Sequence, residues 1–329
     1  MTTGTGDSSR DSTAPHTLRD VVAALEDLYP PSTAEGWDAV GLVVGDPAAP
    51  VRRILFAVDP VAAVVDEAID WGADLLVTHH PLFLRPVHSV AATTFKGDVV
   101  HRLLRAGCGL YVAHTNADAA PRGVADALAD LVGITDRSPL VVGDAGDGAG
   151  AVRGIGRVGR LAEPTTLGAF AEHVAAVLPA TAQGVRVAGD LDAPVATAAV
   201  VGGSGDSLFD AVRAAAVDVY VTADLRHHPA SELRERADFE ARATGRAATP
   251  FLVDVAHFAS EWPWLEYAAE DVVARLGETA GEGSGGGTGE GSGEGTVTTR
   301  VSTIGTDPWT TRVASTVRET RQSADRPTS

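Results

Sequence analysis

The chain has 329 residues, 44% of them hydrophobic, and a formal net charge of −18. A surface this acidic repels phosphate backbones and argues against general nucleic-acid binding. The single cysteine, Cys108, excludes an internal disulfide and a thiolate zinc cluster, and the absence of any run of about 18 apolar residues argues against a membrane-spanning helix.

Residues 1–15 are rich in Ser, Thr, Gly and Asp and lack a signal-peptide core, so they read as a disordered leader on a cytoplasmic protein. Leu18, Val21, Val22, Leu25 and Leu28 recur at helical spacing, Thr17 with Asp20 resembles a capping box, and Pro30-Pro31 stops the helix. Ile54 to Val58 reads as a buried strand, Val61 to Trp71 as a helix and Leu75 to Val77 as a strand. Val99 to Arg105 is helical and Leu110 to Ala113 is a strand, with Cys108 just before it as a small buried thiol. Strands alternating with helices predict an α/β fold of mostly parallel sheets flanked by helices.

Val142 to Gly150 loosens into Gly, Asp and Ala. A second α/β segment then runs from Val152 to Arg246, with strands at Ala198–Val201 and Val217–Val221. Phe251 to Val255 is one more strand, followed by a helix towards Leu276. Gly281 to Gly295 reads as a flexible linker, Val297 to Val313 as a returning strand pair, and the last dozen residues as a tail. The resulting division is a leader (1–15), a first α/β domain (16–140 with 247–280), a second (141–246), a Gly-rich linker (281–296) and a C-terminal strand segment with its tail (297–329).

Three stretches carry chemistry, each just past a predicted strand. In Thr78-His79-His80-Pro81, two histidines stand at a strand's C-terminal edge, where open α/β sheets bind ligands. Adjacent residues there can face opposite sides and serve two ions; alternatively, both are loop hydrogen-bonders. In His114-Thr115-Asn116-Ala117-Asp118, the aspartate can bridge two metals or cap a helix starting near Arg122, and His114 can orient a ligand. In His257-Phe258-Ala259-Ser260-Glu261, the His and Glu are four apart and share a helix face, as metal ligands or as a surface pair. Taken together at one sheet edge, these groups exceed the needs of one tetrahedral ion and suit a pair of divalent ions, zinc, iron, manganese, cobalt or nickel.

Two glycine patterns complete the inventory. Gly154-Ile155-Gly156-Arg157-Val158-Gly159 matches a dinucleotide fingerprint by letters but lacks the strand before and helix after, so it reads as a strand or turn. Gly203-Ser204-Gly205 follows a strand and precedes a helix near Leu208, which suits either an anion cradle or a tight turn.

The ordered set Trp37-Asp38-Ala39-Val40-Gly41-Leu42-Val43-Val44-Gly45-Asp46-Pro47, Thr78-His79-His80-Pro81-Leu82, Ala113-His114-Thr115-Asn116-Ala117-Asp118, Val201-Gly202-Gly203-Ser204-Gly205 and His257-Phe258-Ala259-Ser260-Glu261 resembles the GTP cyclohydrolase I type 2, or NIF-three-like, family. The resemblance runs from about Leu18 to about Leu276 and fits the short two-domain form without an inserted third domain. It implies a dinuclear metal centre at His79, His80, Asp118, His257 and Glu261, and a ring-shaped homohexamer. It also implies hydrolysis of a purine nucleotide: water activated at the metal pair opens the imidazole ring of GTP and releases formate. His227 and His228 look like the family's substrate-side histidines and are candidates for proton transfer. The chain departs from the family at Ala39, where Asn is common, and at Ala223, where Gly is usual. Two other functions fit the same ligands: a phosphoesterase, and a metal-binding scaffold or regulatory interaction protein without GTP turnover.

Overall fold

The computed structural model describes residues 15–143, 152–281 and 297–314. Most of the expected leader, linker and tail lie outside these residues, as does most of the loose stretch before Val152. The chain begins with α1 (Leu18–Leu28), capped reciprocally by Thr17 and Asp20 as the sequence predicts. It continues through β1 (Gly41–Val44), β2 (Arg53–Ala57), α2 (Ala62–Trp71), β3 (Leu75–Thr78), α3 (Phe95–Ala106), β4 (Gly109–Val112), α4 (Thr115–Ala119) and α5 (Val124–Leu131). Next come β5 (Ile134–Val142), β6 (Gly154–Thr166), α6 (Leu167–Val177), β7 (Arg186–Ala188), β8 (Pro194–Ser204), α7 (Phe209–Ala215), β9 (Val219–Ala223) and α8 (His227–Thr244). The last elements are β10 (Phe251–Val255), α9 (His257–Glu261), α10 (Trp264–Gly281) and β11 (Thr298–Val301).

The strands form two sheets, one of five in the order β1-β4-β3-β2-β11 and one of six in the order β5-β6-β8-β9-β10-β7. Successive residues of a strand face opposite sides. Thus Ile54 and Phe56 of β2 join a core shared by both sheets, whereas Leu55 and Ala57 join a separate core under α2 and α3. The shared core also takes the apolar faces of α1, α5, α6 and α10, so helices lie between the sheets. A third core lies under α7 and α8 on the far face of the second sheet. Among the described residues, no helix is long and apolar enough to cross a membrane.

The expected α/β fold of two sheets flanked by helices is what forms, and four details of it differ. The first sheet is mostly parallel, but the second is mixed, with β5, β6 and β7 all paired antiparallel. β10, grouped by sequence with the first segment, lies in register beside β9 in the second sheet. No strand pair forms after Val297: β11 joins β2 in parallel, and among the described residues no second strand follows. Ser302 extends that ladder through its N–H to Phe56 O, and its side chain then turns to Glu67, which ends the strand. Finally, α3 starts four residues before its apolar repeat, because Thr94 caps it at Gly97 and the first-turn Phe95 is solvent-exposed.

Candidate metal centre

His79 and His80 directly follow β3. At the bend that follows β3, their N–H groups donate to the Ala57 and Val58 carbonyls where β2 ends, and both imidazoles reach towards Glu261. β4 leads into His114 and the short helix α4, which carries Asp118. These residues come from the first sheet. His257 and Glu261 form the ends of α9 directly after β10, in the second sheet. The expected single sheet edge is therefore two edges facing each other, one from each sheet.

Glu261 sits at the centre and is 3% exposed. Its Oε1 lies 2.9 Å from His257 Nε2 and 3.5 Å from His79 Nε2. Its Oε2 lies 3.0 Å from His80 Nε2, close enough for an ion pair but not aligned for a hydrogen bond. His80 and His257 face each other through Nε2 atoms 3.2 Å apart. His79 Nε2 is 3.8 Å from Asp118 Oδ1.

Each of four imidazoles is held from behind through Nδ1. His79 Nδ1–H donates to Ala113 O at 2.9 Å, His80 to Asp59 at 2.7 Å, His257 to Asp224 at 2.6 Å and His114 to Asp38 at 2.8 Å. Such partners fix the tautomer and leave Nε2 as the free end, the arrangement metal-ligating histidines almost always show. Asp38 is locked in turn by the N–H and hydroxyl of Thr115.

The ligand atoms fall into two overlapping groups, each mutually within 4.8 Å: His79, His80 and His114, and His80, His257 and Glu261. A divalent ion fits this donor set. His79 Nε2 is buried without a hydrogen-bond partner, although two carboxylates lie nearby. An unpaired buried polar atom is costly, and a cation is the partner that would satisfy it together with both acids.

The charges are strongly coupled. Burial alone would raise the Glu261 pKa, but the imidazoles of His80, His79 and His257 hold it well below the carboxylate range. Burial would lower the His257 pKa, yet Glu261 and Asp224 raise it to about 9. His80 is likewise raised against burial by Glu261 and Asp59. The Asp118 pKa is raised by burial and by Glu261, against the pull of His79.

A cavity of about 330 Å³ opens beside Asp118, lined also by Trp37, Ile155, Gly202, Ser204 and Leu208, a volume suited to a small ligand. Gly203 lies against the cluster with φ +67°, and a Cβ there would sit 2.6 Å from Glu261 Oε1. Its N–H donates to Ser260 Oγ and its carbonyl accepts from Thr222, so that N–H is not open to an anion. At Gly203 this stretch packs a strand end against Glu261. The expected helix near Leu208 is a 3-10 turn followed by α7. Gly154 to Gly159 lies within β6, as a strand.

His79, His80, His257 and Glu261 are brought together, His114 joins through the first group, and Asp118 borders both the cluster and the cavity. The start of α5 is held by Asp126, which accepts the N–H of Arg122. His227 and His228 are exposed at the start of α8 and line neither the cluster nor this cavity. Ala223 closes β9, and the tight turn passes to Asp224, which adopts φ +56° and presents its carboxylate to His257. Sequence reasoning missed Asp59 and Asp224 as orienting groups. Both follow a buried strand, in Val58-Asp59-Pro60 and Ala223-Asp224-Leu225, and that position was the available signal.

The family model of Duf34/NIF3 (NGG1p interacting factor 3) matches residues 16–281. The chain belongs to this family. A Streptomyces coelicolor protein named GTP cyclohydrolase 1 type 2 homolog is 52% identical over 299 residues, covering 91% of this chain and 95% of its own length. A Clostridium perfringens protein of the same name is 32% identical over 264 residues, covering 79% and 92%. Among solved structures, a Staphylococcus aureus hypothetical protein matches with TM-score 0.70 at 25% identity, over 90% of this chain and 99% of that one. A Bacillus cereus protein related to NIF3 matches at TM-score 0.70 and 23% identity, over 89% and 98%, which speaks for the fold.

Proposed function

We propose that this chain is a dinuclear metal-dependent hydrolase acting on a purine nucleotide of the GTP type. One observation carries the reading: four imidazoles, each anchored through Nδ1, direct their free ends to one region bounded by two acids. His79, His80, His257 and Glu261, with Asp118, would hold the metals. When bound, such a pair supplies a Lewis acid and makes water acidic enough to ionise near neutral pH.

The protein's own residues supply the rest. Glu261 and Asp118 offset the positive charge, Glu261 from a site closed to water. Ala113 O, Asp59, Asp224 and Asp38 hold the imidazoles in one tautomer, so no reorganisation is needed when charge develops. Asp118, 23% exposed, is placed where the cluster meets the cavity, within reach of a bound ligand's proton. The names of the Streptomyces and Clostridium relatives support a guanine nucleotide as the first substrate to try. The same reading takes the chain as a homohexamer, which sedimentation tests.

The test is metal-loaded protein incubated with GTP, with formate and phosphate assayed together. Formate release supports ring opening, and phosphate alone makes the protein a phosphoesterase. No turnover of either removes the enzyme reading for GTP and leaves the metal-binding scaffold.

A further inference from the structure

The chain beyond residue 296 returns to the metal centre. β11 pairs with β2 at the sheet edge, and the segment after it runs past Trp262 and Asp59. Ser302 O accepts the indole N–H of Trp262, the residue next to Glu261. Four residues later, Thr306 Oγ1 donates to Asp59 Oδ2. The other oxygen of Asp59 accepts Nδ1–H of His80. A three-member relay therefore runs Thr306 to Asp59 to His80, and it ends at an Nε2 that faces Glu261 and His257.

We infer that Thr306 is a positioning residue of the metal centre, and that the C-terminal segment 298–306 completes the site by fixing Asp59 against His80. This rests on the metal-site reading above. An aspartate between two donors is held in one rotamer, and a held aspartate holds the imidazole plane. Without the hydroxyl, one oxygen of Asp59 loses its donor, and Asp59 gains freedom to rotate away from His80. The effect belongs to the ion bound by His80 and not to folding at large, because Thr306 is only partly buried and lies outside the cores.

The full chain is compared with Thr306→Val and Thr306→Ser, loaded with zinc or cobalt. The readouts are metal per chain, zinc affinity by chelator competition and the visible spectrum of the cobalt form. Thr306→Val is expected to weaken the more labile ion roughly tenfold or more and to shift the cobalt bands, with Thr306→Ser restoring both. Thr306→Ala replaces the valine variant if that one fails to fold, with thermal unfolding of the metal-free proteins as the control. Unchanged affinity and spectrum in the hydroxyl-deleted variant, with the parent chain metal-loaded, overturn the role of Thr306 alone. A parent chain that takes up no transition metal overturns the site reading and this inference with it.

Discussion

His80 and His257 meet through Nε2 atoms 3.2 Å apart, although one belongs to the first sheet and the other follows the last parallel strand of the second. Two imidazole nitrogens at that distance need a proton or a cation between or beside them, and Glu261 lies within 3.0 Å of each. This His/Glu cluster is therefore also a junction between the two sheets, and changes to its residues should be felt in both stability and metal binding.

Asp224 carries one imidazole of that pair from behind. Asp224→Asn keeps the shape but replaces the acceptor charge, and an amide can turn its NH₂ towards Nδ1. Metal affinity is expected to fall about 10- to 100-fold with little change in the metal-free fold. Chelator competition measures the first and urea unfolding the second. Equal affinity in both proteins would mean that His257 needs no such support.

The metal-free protein should lose stability at alkaline pH, and the sign follows from the shifts. The His257 pKa is raised from 6.5 to about 9, so its contribution is complete below 6.5 and fades as pH rises through about 9. The Glu261 pKa is lowered from 4.5, so its contribution is present above 4.5 and fades as pH falls towards the folded value. The cluster therefore stabilises the chelator-treated chain most between about 4.5 and 6.5. Urea unfolding at pH 6, 8 and 10 reads the alkaline decline, and Glu261→Gln should flatten it. At pH 6 the same variant should cost on the order of 3 kcal/mol, because imidazolium charge is left without its buried partner.

Gly203 tests how closely the second sheet must approach. With φ +67° and a Cβ position 2.6 Å from Glu261 Oε1, Gly203→Ala must either shift the turn or displace the carboxylate. The expected cost is about 1–2 kcal/mol from the backbone alone, with loss of at least one bound metal. Full metal occupancy in Gly203→Ala would show that the turn yields without disturbing Glu261.

Much of the fold was legible because its buried strands are short apolar runs bounded by helices, as at Leu75–Val77 and Phe251–Val255. Partner choice was not. Nothing in Phe251-Leu252-Val253-Asp254-Val255 distinguishes a neighbour of β9 from a neighbour of β3, since both environments bury the strand on both faces. Four of the site residues, His79, His80, His257 and Glu261, could be read from their positions after strands, and they do converge. Asp59 and Asp224 share that position after a strand, but which imidazole each one meets was not legible, because the contacts span 21 and 33 residues, and the Thr306 contact to Asp59 spans 247. The expected strand pair near the C-terminus failed for a similar reason: side-chain contacts to Glu67 and Asp59 take the place of a second strand.

The most direct test of the account is metal content. Native protein purified without chelators and analysed by mass spectrometry should carry two transition-metal ions per chain, and His79→Ala/His80→Ala should carry almost none. Less than one ion per chain in the native protein, unchanged by that double substitution, would contradict a metal centre at these residues.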